Sequence, residues 1–216
     1  MERVKTMTKE IRAFNFDIES RESEEHGHYI EGRAIVYDAP TDMGWCREII
    51  DRGALDNTDL RDVRLLTNHD TKMIPLARTR NNNANSTMQL SVDEEGLVIR
   101  ADLDTVNNTK AAELYSATKR GDISGMSFMF IVDGYAWEDV DSDYPTRHIT
   151  SIKKVMEVSA CTFPAYEQTT LEARGEGGTL DSVKASLESA RAEAKKEKEA
   201  RNRKIKELEL RLRIGG

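Results

Sequence analysis

Three polar residues stand where their neighbours are apolar or turn-forming. His69 follows Leu65-Leu66-Thr67 and lies between Asn68 and Asp70 at the end of that run. Ser127 sits inside Ile123 to Val132, with Gly125 two residues before it. Glu157 opens Glu157-Val158-Ser159-Ala160-Cys161-Thr162-Phe163, a stretch otherwise suited to burial. Taken singly, each has a bland explanation: a strand serine satisfied by the backbone, a turn histidine, an outward-facing glutamate on an edge strand. Taken together they have a chemical one. A serine hydroxyl is a weak nucleophile and needs a base within hydrogen-bond reach to accept its proton. Histidine titrates near the working pH, and a carboxylate on its other ring nitrogen fixes the tautomer and stabilises the imidazolium. The chain order His, Ser, Glu is no obstacle, because such triads are defined by geometry. The residues alone leave both explanations open. No GxSxG elbow is present, and Gly125-Met126-Ser127 has glycine on one side only.

The elements that would carry these residues are mostly strands. Tyr29 to Tyr37 is β-rich and stops at Asp38-Ala39-Pro40. Cys46 to Ile50 is a short strand leading to Asp51-Arg52-Gly53-Ala54-Leu55, where a turn could open a short helix. Val63 to Thr67 brings the chain to His69. Met88 to Val92 and Leu97 to Leu103 flank Asp93-Glu94-Glu95-Gly96 in a hairpin pattern. The period then changes. Ala111, Leu114, Tyr115 and Thr118 at helical spacing predict a helix over Asn107 to Arg120, with Lys119-Arg120 in its last turn and Gly121 as its stop. The apolar run holding Ser127 follows, and His148 to Ile152 and Val155 to Phe163 read as two further strands. The expectation is a β-dominated α+β domain of at least seven strands.

Charge divides the chain. From Thr179 onward the net charge is +4, and the residues before it carry −11 of the total −7. The acidic part holds all four prolines and both tryptophans, whereas the basic part has no aromatic residue. Gly175-Glu176-Gly177-Gly178 reads as a flexible joint between them. In the tail, Leu180, Val183, Leu187, Ala190 and Ala194 form a narrow seam that resumes out of phase at Ile205, Leu208 and Leu212. That pattern predicts two short amphipathic stretches, either solvated or docked on a partner. The overall acidity argues against a nucleic-acid binder that neutralises phosphates. No apolar run approaches a membrane span, the first residues have no apolar core, and two cysteines without a CxxC cannot cage a metal. A soluble intracellular protein with free thiols and no metal or cofactor is expected.

Five blocks of the chain, in register from about Ala13 to Arg174, resemble the prohead (procapsid maturation) serine proteases of tailed bacteriophages. The blocks are Glu31-Gly32-Arg33-Ala34, Glu48 to Leu55, Val63 to Asp70, Lys119 to Phe128 and Glu157 to Tyr166. Two positions depart from the family pattern: Met129 follows Phe128, and Ala77 precedes Arg78, where glycines are usual. The resemblance implies a fold related to the herpesvirus assemblin protease, a β-barrel with flanking helices, here followed by a helical tail. It divides the chain into a disordered arm at 1–12, a protease domain at 13–174, the joint at 175–178 and the basic tail at 179–216.

By the same resemblance, Ser127 would be the nucleophile, His69 the general base, and Glu157 the third member. Ser124 is the rival nucleophile and His148 the rival third member, since the herpesvirus relatives use a second histidine. In an extended run Ser124 and Ser127 point to opposite faces, so only one can meet His69. Asp70, next to His69, would point away from it in a strand. The implied role is limited proteolysis inside an assembling procapsid in the bacterial host. The protease would cut scaffolding segments from the major capsid protein and cut itself, with the joint as a self-processing boundary and the tail as a docking element. A homodimer is also implied, and neither nucleic acid nor membrane. The alternative from another class is an inactive protease-like scaffolding or core protein.

Overall fold

A computed structural model describes residues 9–14, 18–24, 27–162 and 179–214. The strands are β1 (Lys9–Phe14), β2 (Ile18–Ser23), β3 (Gly27–Val36), β4 (Thr41–Asp42), β5 (Arg47–Ile50), β6 (Arg64–Thr67), β7 (Ala77–Arg78), β8 (Met88–Val92), β9 (Gly96–Asp102), β10 (Gly125–Glu138) and β11 (Thr146–Cys161). Two helices, α1 (Thr109–Arg120) and α2 (Thr179–Ile214), complete the described chain. It is a strand-rich α+β fold with a C-terminal helix.

Two sheets hold the strands. The larger runs β1-β10-β11-β5-β4, with β6 on β11 and β7 on β6; the smaller runs β2-β3-β9-β8. Because β11 is 16 residues long, its first half pairs in parallel with β5 and its second half with β6. Both sheets and α1 feed one apolar core that includes Ile30, Ile99, Leu114, Phe128, Ile149 and Val158. The pairings among the described residues do not close either sheet into a ring, so the expected barrel is not seen as such. Two backbone bonds tie the sheets together, from the Thr87 amide to the Arg78 carbonyl and from the Asp38 amide to the Ile50 carbonyl.

Local chemistry explains the elements. The Asn108 side chain accepts from the amides of Lys110 and Ala111 at the start of α1, and Gly121 ends it in the left-handed conformation. At the head of β9, Gly96 has φ +144, and a Cβ there would meet the Ile35 carbonyl oxygen at 1.9 Å. No other residue fits that hairpin.

Several expectations need correction. Residues 9–12 are not a disordered arm: they lie in β1, paired with β10, while residues 1–8 lie outside the described set. Asp51 to Leu55 forms turns and no helix. The two strands expected at 148–152 and 155–163 are one, β11, because nothing between them breaks extension. Lys153 and Lys154 interrupt the apolar pattern only, and β11 absorbs the register shifts there, Lys153 and Met156 having no residue opposite them in β10. The tail is a single helix, since helicity needs no breaker rather than one unbroken seam. Its Val183 and Leu187 are buried, the Trp137 indole donates to Ser186 Oγ at 3.1 Å, and Arg191 donates to the carbonyls of Val140 and Ser142. The joint at 175–178 and the end of the closing block lie outside the described residues.

Candidate active site

Strand register puts Ser127, Glu157 and Ser159 on one face. Ser127 of β10 lies directly opposite Ser159 of β11, and Glu157 is two residues from Ser159, hence on the same side of the pleat. Met129, one of the departures from the family pattern, lies opposite Glu157. His69 comes from the turn after β6, the strand that pairs with this half of β11. At the end of β6 the chain takes two consecutive left-handed residues, Asn68 at φ +49 and His69 at φ +57. Asparagine tolerates that conformation, and here its side chain is held at both ends by Thr162: Nδ2 donates to Oγ1 at 3.0 Å and Oδ1 accepts from the Thr162 amide at 2.9 Å. A histidine held left-handed costs about 1 kcal/mol, the kind of local strain found at functional sites. The turn folds the imidazole back over the face that carries Ser127 and Glu157.

The three side chains form a continuous chain of hydrogen bonds. His69 Nδ1 donates to Glu157 Oε1, and His69 Nε2 lies 2.5 Å from Ser127 Oγ. The first bond sets the tautomer in which Nε2 carries a free lone pair towards the hydroxyl. Ser159 Oγ donates to the other Glu157 oxygen at 2.7 Å and accepts from the His69 amide at 3.0 Å. Ser127 is fully buried, and its hydroxyl also lies 2.7 Å from the Arg12 carbonyl of β1. Cys161 is close by. Burial first, and then the Glu157 charge, push its thiol up to about 12, so it stays protonated and does not compete as a nucleophile.

The rivals are elsewhere. Ser124 precedes β10 and is exposed. His148 lies opposite Ala136, nine positions along β10 from Ser127, which is about 25–30 Å of strand. Its Nδ1 is taken by Asp51 at 2.7 Å and its Nε2 faces Glu138 at 3.2 Å. Asp70 is exposed and caps its own turn by accepting from the Lys72 amide. Among the described residues, no group of three His, Cys, Asp or Glu is placed to hold a metal ion.

Sequence reasoning missed what lies behind β1. Glu10 and Arg12 of β1, Glu48 of β5 and Arg147 of β11 are all buried and form a closed four-charge cluster. Arg12 bonds both Glu10, at 2.6 Å, and Glu48, and Arg147 bonds both Glu10, at 2.7 Å, and Glu48, at 2.9 Å. Burial alone would raise the Glu10 carboxyl, but the Arg12 charge and the bonds from Arg147 and Arg12 hold it below its ordinary value. The cluster pins β1, and so the Arg12 carbonyl, against Ser127. The only hint was the alternation of charges at Glu10 and Arg12 in a segment read as an arm.

A strand-rich α+β domain carrying a hydrogen-bonded serine, histidine and glutamate has the makings of a serine hydrolase site. The chain matches the family described as caudovirus prohead serine protease over residues 14–184, and it belongs to that family. It is 31% identical to the prohead protease of Enterobacteria phage HK97 over 157 residues, which is 71% of this chain and 63% of that relative. Among solved structures it resembles the bacteriophage T4 capsid assembly protease, with a TM-score of 0.40 and 13% identity over 71% of this chain and 97% of that one.

Proposed function

We propose that the chain is a serine endopeptidase of phage capsid maturation, acting inside the procapsid on scaffolding segments of the major capsid protein and on itself. The observation that carries the reading is the unbroken Glu157–His69–Ser127 chain of hydrogen bonds. Ser127 Oγ attacks the scissile carbonyl carbon while its proton passes to His69 Nε2, and Glu157 stabilises the imidazolium so formed. His69 then gives that proton to the leaving amine as the C–N bond breaks. Water attacks the acyl-enzyme, its proton passing through His69 back to Ser127. Ser127 Oγ is buried, with the Arg12 carbonyl of β1 2.7 Å away.

Membership of the prohead protease family supports the capsid substrate and the procapsid location. The two backbone ties between the sheets favour reading the fold as a distorted relative of the herpesvirus-protease barrel. The basic second half of α2, exposed beyond Ala194, suits docking on an acidic partner. Co-expression with the capsid protein tests the activity: the wild type should shorten the capsid protein by intact mass, and Ser127→Ala should leave it whole. Capsid protein left whole by the wild type would overturn the reading and favour the inactive scaffold.

A further inference from the structure

We infer that Ser159 is a positioning residue for the His69–Glu157 pair, an inference that rests on reading Ser127, His69 and Glu157 as the catalytic set. Glu157 is 3% exposed, and its two buried oxygens need separate hydrogen-bond partners if the carboxylate is to keep one orientation. Oε1 has the His69 ring. Oε2 has the Ser159 hydroxyl at 2.7 Å. That same hydroxyl oxygen accepts from the His69 backbone amide at 3.0 Å. The result is a closed ring of hydrogen bonds, running from the His69 amide to Ser159 Oγ, on to Glu157 Oε2, across the carboxylate to Oε1, and back to the His69 side chain.

Each link does a separate task. The bond to Oε2 stops the carboxylate from rotating away from the imidazole. The bond to the His69 amide holds the second of two left-handed residues, the one that aims the ring. One hydroxyl therefore fixes both partners of the base, and it can do so only because it donates and accepts at once. Ser159 is itself fully buried, opposite Ser127 in the ladder, so no water can substitute for it without a cavity. Ser159 touches no reacting atom. Its effect must appear through His69.

The test uses the full chain with its capsid protein as substrate. Ser159→Ala should lower kcat by about 10- to 100-fold with KM little changed, the size expected when a supporting hydrogen bond to a catalytic group is lost. Ser159→Thr, which keeps the hydroxyl and suits a strand, should recover most of it. In a Glu157→Gln background the further loss from Ser159→Ala should shrink, because the two act as a unit. An unchanged kcat in Ser159→Ala overturns the inference, as does a loss that is the same in both backgrounds. The 1H NMR signal of the His69 Nδ1 proton needs no turnover and separates this inference from the protease reading. If the wild type cuts nothing, the protease reading fails. The ring proton then decides Ser159: a signal lost in Ser159→Ala and kept in Ser159→Thr sustains the inference, and one that survives in Ser159→Ala ends it.

Discussion

At the residue scale, two histidines in one chain show how partners decide roles. His69 has one ring nitrogen on a buried carboxylate and the other on a buried hydroxyl, so Nδ1 is held while Nε2 faces the Ser127 oxygen. His148 has a carboxylate facing each nitrogen, and its proton is held rather than passed. The hydrogen bond to Asp51, opposed by burial and aided by Glu138, raises it above its ordinary value of 6.5. A group raised on folding contributes stability that is complete below its unfolded value and is lost as pH rises through its folded one. His148→Gln should therefore cost stability at pH 6 and almost none at pH 9, read as urea midpoints; an equal cost at both would show that the ion pairs contribute nothing. His69, Ser127 and Glu157 were legible in the sequence as polar residues in apolar settings, and the family resemblance ranked them. Ser159 was not, because a strand serine beside a glutamate is unremarkable until the register shows what it faces.

At the element scale, β1 brings two buried charges to the strand that carries Ser127. Its Glu10 and Arg12 enter a buried cluster with Glu48 and Arg147, where two carboxylates balance two guanidiniums. Removing one carboxylate strands a positive charge in the core. Glu48→Gln should cost about 3–5 kcal/mol in chemical denaturation. A loss under about 1 kcal/mol would mean that water reaches the cluster and that β1 is not pinned. Strands with alternating or apolar runs, such as β8 and β10, were readable from their period, and α1 from its spacing and its glycine stop. The two-residue β4 and β7 offered too few residues for any period to show. β1 was hidden by its charges, which read as solvent-facing because nothing in sequence announces that two other charges, Glu48 and Arg147, will meet them.

At the scale of the whole molecule, the long C-terminal helix is anchored at one end and free at the other. Its first turns bury Val183 and Leu187 and bond the β10–β11 end through Ser186 and Arg191, while residues 195–211 are exposed, Ile205 and Leu208 among them. Removing residues 195–216 should leave the melting temperature and peptide cleavage almost unchanged and reduce packaging into procapsids. Normal packaging of the shortened chain would dismiss the docking role. Sequence placed the seam but took its phase shift for a break. That shift changes which face meets a partner and leaves backbone hydrogen bonding intact. The account as a whole stands on one serine. Wild type, Ser127→Ala and Ser124→Ala, each co-expressed with the capsid protein and followed by intact mass, test it most directly. Wild type and Ser124→Ala should trim the capsid protein while Ser127→Ala leaves it whole; trimming by Ser127→Ala, or its loss in Ser124→Ala alone, would contradict the account.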